Sequence, residues 1–239
     1  MEVPTSALPL TRVEYRRTRT ARWGYWALKH TVAPVIRAVW IGSVEGLENV
    51  PPEGPLIVAS NHESLMDFLC FASVCPRNVH FLAGERFFER PLWRWLMVSL
   101  GQIRLDRHSQ NHLEAHRLAA SALRQGLVVG IFPGGTRAPD GQRLPAQVGV
   151  ARLAHWARAP VLPVGISGTF EILHRHRRWP ALARRHIRIG VPMVFPEFAE
   201  PRLGEDRYRY FTDRIMVRIA ALTGKMYVPA TPLTDDERA

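Results

Sequence analysis

Seven consecutive residues, Asn61-His62-Glu63-Ser64-Leu65-Met66-Asp67, bring together side chains suited to moving a proton at neutral pH. An unperturbed imidazole titrates near pH ~6.5, so His62 can serve as a base. Asp67 follows five positions later. Five residues of regular helix leave two side chains ~140° apart, whereas helical pairs meet at spacings of three or four. The pair therefore works with His62 in a turn and Asp67 on the first turns of the helix that follows. So arranged, Asp67 accepts the Nδ1–H of His62, fixes its tautomer and leaves Nε2 to take a proton from an attacking hydroxyl. Ser64 is two residues from His62, whereas a Ser-His-Asp hydrolase draws its triad from distant parts of a chain. Asn61 is expected to cap the helix. The plain alternative is a capping Asn, a surface His and an Asp complementing a helix dipole. Stretches further along decide between the two.

The elements that must position this pair are a strand over 55–60 (PLIVAS) and a helix over 64–75. Reactive groups in an α/β sheet are displayed outside the carboxyl ends of its strands. Further strands are expected at 79–82, 102–105, 127–132, 160–166 and 186–191, and helices at 87–99, 110–125, 147–157 and 205–223. The alternation predicts an α/β fold, a single domain with a largely parallel sheet covered by helices. It is preceded by an N-terminal amphipathic, membrane-seating helical segment. The expected divisions are 1–41 for that basic segment, 42–228 for the catalytic domain and 229–239 for a disordered tail.

Two more stretches carry chemistry. GQIRLDR places Arg104 and Arg107 near the carboxyl edge of the sheet, and the apolar run LVVGIF delivers the turn Phe132-Pro133-Gly134-Gly135-Thr136-Arg137. Gly134 and Gly135 permit positive φ and close backbone approach. With the Thr136 hydroxyl and the Arg137 guanidinium, such a turn can cradle a phosphate. In APVLPVGISG, Pro163 suggests an edge strand or a bulge. His108, His112 and His116 fall on one helical face, but no carboxylate–cysteine set completes a zinc site there.

The charge balance narrows the partners. The 239 residues carry a formal net charge of +11, with Lys29 and Lys225 the only lysines among 32 basic residues. An anionic partner follows: nucleic acid, a membrane surface or a phosphorylated substrate. Trp23, Tyr25, Trp26 and Trp40 accompany Lys29, His30 and Arg37 in a segment that Pro34 is expected to kink. Aromatic rings with cationic flanks mark a helix lying in the headgroup plane. A second aromatic-basic segment runs over 86–100, and a basic loop occupies 168–186. No apolar run reaches the ~18 residues of a spanning helix and no secretory cleavage signal is visible, so a peripheral or monotopic protein on the cytoplasmic membrane face is expected. Cys70 and Cys75 share one expected helix and read as buried thiols.

Taken in order, these stretches resemble the glycerolipid acyltransferase family, in particular its 1-acylglycerol-3-phosphate acyltransferases. The family's Asn-His-x-Ser-x-x-Asp block is matched at Asn61, His62, Ser64 and Asp67. Its second block is matched at Gly101, Ile103, Asp106 and Arg107, and its third at Phe132, Pro133, Gly135, Thr136 and Arg137. The fourth, an apolar strand with a central proline, is matched around Val161 to Val164. Two departures bear on the acceptor: Gly134 stands where the family carries glutamate, and Gly84 where many members carry lysine. The resemblance implies acyl transfer from acyl-CoA or acyl-carrier protein to a lysophospholipid acceptor at an anionic membrane surface. No cofactor, metal or nucleic acid takes part. His62 and Asp67 are the implied catalytic pair. Asn61, Ser64, Arg104, Arg107, Gly135, Thr136 and Arg137 are the implied substrate-binding and supporting residues. A nucleic-acid-binding module would explain the charge but not the four blocks. A catalytically silent lipid-binding member is the alternative that Gly134 raises, beside an acyltransferase for another lysolipid.

Overall fold

Leu56–Ser60 is the strand on which the sheet is built, and all five of its side chains are buried. Leu56 and Val58 pack into one apolar cluster, Ile57 and Ala59 into another. That division follows from the two-residue period of a strand covered on both faces. The computed structural model describes residues 14–64, 66–105, 112–135, 146–169, 181–182 and 184–234. Its strands are β1 (Ile41–Glu45), β2 (Leu56–Ser60), β3 (Val79–Gly84), β4 (Ile103–Leu105), β5 (Val128–Ile131), β6 (Val161–Ser167) and β7 (Arg185–Ile189). They form one sheet in the order β1-β7-β6-β2-β5-β3-β4. Every pairing is parallel except β6 with β7. The expected α/β domain with a mostly parallel sheet is the fold observed.

Helices cover both faces. On one lie α1 (Arg19–Ala27), α2 (Ala33–Trp40), α3 (Met66–Val74), α4 (Arg86–Glu89) and α5 (Pro91–Ser99). There Tyr25, Ile36, Phe71 and Met97 meet Val58, Val79 and Leu162. On the other lie α6 (His112–Arg124), α7 (Gly149–Ala157) and α8 (Glu205–Thr223). Their Ala119, Leu123, Leu153, Phe211 and Ile215 meet Ile57, Val129 and Val161. Cys70 and Cys75 are buried free thiols, as expected, and burial raises the Cys70 thiol to about 12.

Several expectations are corrected. The edge strand β1 was not anticipated, because IGSVE is short, half-exposed and carries a glycine. The helix expected over 87–99 is two helices: Arg90 is extended at φ −88°, ψ 128°, the conformation that a following proline imposes. Pro163 occupies an interior strand rather than an edge. The antiparallel ladder with β7 runs from Val164 to Ser167 and so does not require its missing N–H. Pro34 does not bend the N-terminal segment by itself. A π-helical turn, Leu28–Val32, precedes it and joins α1 to α2, a local re-spacing of the ladder that wide turns permit.

The N-terminal helices are also partly core. Tyr25, Leu28, Ala33 and Ile36 are buried, while Trp23, Trp26, Val32 and Val35 are exposed. Lys29, expected among the cationic flanks, donates to the Cys75 carbonyl, and burial lowers its ammonium below the usual lysine range. The Trp40 indole donates to the Ala181 carbonyl at 2.8 Å. Residues 229–234 of the expected disordered tail are held in place: Thr231 N donates to Asp213 Oδ2 at 2.9 Å and Leu233 is buried. The remaining tail, 235–239, and most of the basic loop 168–186 lie outside the described residues.

Candidate active site

Beyond Ser60, where β2 ends, five residues lead into α3, which begins at Met66. Asp67, fully buried on the first turn of α3, is the centre of the site. Its Oδ2 accepts from Glu63 N at 2.7 Å and Ser64 N at 2.8 Å, and lies 2.9 Å from His62 Nδ1. The backbone thus supplies two donors to the carboxylate. Facing an acceptor-only carboxylate oxygen, His62 Nδ1 is the donor of this pair. The two side chains meet as the five-residue spacing led one to expect, with His62 in the turn and Asp67 on the helix.

The imidazole is also fixed by its flat face. It stacks on Phe132 at 4.1 Å and 14°, and Phe132 stacks on Phe81 at 5.2 Å and 16°. Gly130 makes that ladder possible, because a Cβ there would stand 2.3 Å from the Phe81 ring. His62 opens on a cavity of about 400 Å³, within the usual range for small-molecule sites. Phe81, Phe87, Met97 and Leu105 give it apolar walls, while Glu85, Arg86, His116 and Gln147 bring polar groups to it.

The other expected residues divide. Asn61 does not cap α3. Its Nδ2 donates to Ile166 O at 2.7 Å, and its Oδ1 accepts from Ile166 N at 2.8 Å. This pair of bonds ties the turn to β6 just past the end of the β2–β6 ladder. Ser64 takes the capping part, its Oγ accepting from Met66 N at 3.2 Å, and it is fully buried. Both residues hold the turn; neither lines the cavity.

Gly135 lines the cavity with φ +72°, and a Cβ there would meet Gln147 at 2.6 Å, so glycine suits both the backbone and the close approach. Among the described residues, no atom lies within 4 Å of a would-be Cβ at Gly134. Gly84 lines the cavity wall. Arg104 is exposed, on the opposite face of β4 from the cavity-lining Leu105. Arg107, Thr136, Arg137 and His108, together with the side chain of His112, lie outside the described residues. His116 faces the cavity, and no metal-binding group of three is found among the described residues.

Sequence reasoning passed over Phe132 as a support for the ring, and Arg86, His116 and Gln147 as cavity residues. It also missed Lys225, which pairs with Glu63 inside the catalytic turn. Of these, only Phe132 was open to discovery, as the residue on which a buried strand run ends beside a glycine turn.

A histidine whose Nδ1 meets a carboxylate at the carboxyl edge of an α/β sheet, beside a cavity, is an arrangement able to take a proton from a hydroxyl. The chain belongs to the acyltransferase family, whose profile matches residues 42–167. Among its relatives, the 1-acyl-sn-glycerol-3-phosphate acyltransferase of Pseudomonas aeruginosa is 36% identical over 124 residues, covering 51% of this chain and 47% of that protein. The chloroplastic 1-acyl-sn-glycerol-3-phosphate acyltransferase of Brassica napus is 29% identical over 132 residues, 54% of this chain and 38% of that one. Matches to these two proteins thus span about half or less of their length. The fold is shared with the crystal structure of the 1-acyl-sn-glycerophosphate acyltransferase PlsC from Thermotoga maritima. The TM-score is 0.68 at 24% identity, over 89% of this chain and 86% of that one.

Proposed function

We propose that the chain transfers a fatty acyl group from acyl-CoA or acyl-carrier protein to the free hydroxyl of 1-acyl-sn-glycerol-3-phosphate, giving phosphatidate. The observation that carries this reading is the Nδ1-anchored His62, whose Nε2 is left free beside a cavity with apolar walls and polar groups. Nε2 takes the acceptor's hydroxyl proton as the oxygen attacks the thioester carbonyl. The tetrahedral oxyanion then collapses, the C–S bond breaks, and the imidazolium returns its proton to the leaving thiolate. Asp67 stabilises the imidazolium between the two steps. In this reading Arg107 and Arg137 hold the acceptor phosphate, with Gly135 and Thr136 shaping the turn around it. Fixing the hydroxyl in line with the carbonyl contributes several kcal/mol, roughly, of barrier lowering.

The absence of a side chain at Gly134 favours a second acceptor class, lysophospholipids with bulkier heads. A missing contact rejects a larger head only weakly. Thioester release measured with one acyl-CoA and a panel of lysophosphatidate and lysophosphodiesters tests both readings. The expected result is turnover on lysophosphatidate, with diester acceptors used at a lower but measurable rate. No turnover on lysophosphatidate with turnover on a diester would replace the first acceptor by the second. No turnover on any acceptor would leave a lipid-binding protein without catalysis.

The site must meet its lipid at a surface, and no helix among the described residues is long and apolar enough to cross a membrane. Trp23 and Trp26 on α1, whose rings meet at 6.0 Å, and Trp95 and Val98 on α5 are all exposed, and the two helices pack together. We read this as the face that rests in the headgroup layer of an anionic, cytoplasmic leaflet, drawn there by the net charge of +11. Trp23→Ala with Trp26→Ala removes only exposed rings. It should weaken flotation with anionic vesicles several-fold without lowering the melting temperature. Unchanged flotation would place the membrane contact elsewhere.

A further inference from the structure

The Glu63 side chain sits in the catalytic turn, only 13% exposed, and such an anion needs a partner. Its carboxylate accepts from Asn61 Nδ2 at 3.3 Å and takes the Lys225 ammonium, which arrives from beyond the far end of α8. That segment is tied down as well as delivered. Gly224 ends α8 in the left-handed conformation that turns the chain back, at φ +68°. Asp213, fully buried on α8, then accepts from Tyr227 Oη at 2.7 Å and from Thr231 N at 2.9 Å, and also from the Thr231 hydroxyl. Residues 225–233 thus form a strap whose anchor is Asp213 and whose working end is Lys225. Burying an unpaired carboxylate to hold a surface strand of chain would be a poor use of Asp213; both its oxygens are engaged.

We propose that Lys225 is a positioning residue for the dyad: the strap delivers its charge to Glu63, which closes the turn that holds Asp67 and neutralises the anion nearest His62 in sequence. The inference rests on the acyl-transfer reading only for its effect on rate. Through Glu63 the ammonium reaches Asn61, which clamps the turn to β6, and the turn whose N–H groups at Glu63 and Ser64 hold Asp67. Without Lys225, the Glu63 carboxylate, on the residue next to His62, would lose its cation, and a further uncompensated negative charge in the turn favours the imidazolium. Among the described residues, the other charged or titratable groups lining the cavity are Glu85 at the end of β3, Arg86 on α4 and His116 on α6. None of them changes in the comparison below.

The test is a titration of the His62 ring by NMR in wild type, Lys225→Met, Lys225→Arg and Lys225→Met with Glu63→Gln, alongside kcat/KM against pH. Lys225 is half exposed, so these variants should fold. In Lys225→Met the His62 midpoint should rise, by roughly half a pH unit for one partly screened charge left uncompensated in the turn. The rising limb of kcat/KM should move up with it, and the plateau should fall about ten-fold as the turn loosens. Lys225→Arg should restore the midpoint, and Glu63→Gln in the Lys225→Met background should bring it back even where the plateau stays low. An unmoved His62 midpoint in Lys225→Met overturns the proposal, whether or not stability changes. A moved midpoint in a protein without turnover on any acceptor would leave the positioning role standing and fail the acyl-transfer reading instead.

Discussion

His62 and His80 occupy opposite edges of the same sheet, one just past the carboxyl end of β2 and the other near the amino end of β3. Each engages an oxygen through Nδ1. For His62 it is a carboxylate held by two backbone donors; for His80 it is the Gly101 carbonyl at 2.9 Å and the Tyr15 hydroxyl at 3.0 Å. His80 is fully buried, and that burial lowers its pKa to about 4, more than its bond to Gly101 raises it. The Tyr15 hydroxyl, itself donating to Gly101 O at 2.7 Å, is pushed up to about 12 by burial. At the amino edge the fully buried ring is a neutral strut, with no carboxylate beside it among the described residues. At the carboxyl edge, strands end and their turns expose N–H groups, and a carboxylate can be held close to a cavity. The chemistry comes from which edge the imidazole occupies, since the ring is the same.

Exchanging the two histidines' roles in experiments should show this in order of size. His62→Ala should reduce turnover by at least ~10²-fold, the usual worth of a positioned base, with little loss of stability, since the ring stands at the cavity. Asp67→Asn should match it in rate and also destabilise the turn, whose two N–H donors lose their anion. Near-normal turnover in either folded variant would end the dyad assignment.

The His80 effect lies in stability. Its folded pKa is depressed, so the unfolded chain binds the proton first, near 6.5. The contribution is therefore complete above pH 6.5 and is lost as the pH falls toward about 4, roughly 3 kcal/mol in all. Urea unfolding at stepped pH should show His80→Gln, which retains a donor for Gly101, with a shallower loss over that window than wild type. Parallel curves would mean that His80 is not the titrating group.

Smallest is the ring support. Phe132→Leu removes the flat partner of His62 and should cost several-fold in kcat, because stacking contributes on the order of 1 kcal/mol, with KM for the acyl donor nearly constant. A larger change in KM than in kcat would make Phe132 a cavity wall first and a support second.

How much of this was legible depended on distance along the chain. The dyad was legible because its members lie five residues apart and their spacing excludes a shared helical face. The strands β2, β5 and β6 were legible as continuous apolar runs. Asn61 was misread as a cap because its true partner, Ile166, is 105 residues away, and capping is the local use for an asparagine at a helix start. His80 with Tyr15, and Glu63 with Lys225, are pairs 65 and 162 residues apart. No periodicity announces such meetings; only the packed sheet does. The N-terminal helices were read for their surface, and they show how an aromatic-basic segment can serve the core with one face and solvent with the other.

The clamp between Asn61 and Ile166 has a consequence in time. The catalytic turn is written early, yet it becomes rigid only when β6, more than a hundred residues later, takes its place beside β2. Closing a loop of that length is slow and carries an entropic cost before any contact rewards it. A growing chain therefore carries His62 and Asp67 well before they can hold each other in working geometry. The turn is completed only when an interior strand written far along the chain is in place, and not with the synthesis of its own residues.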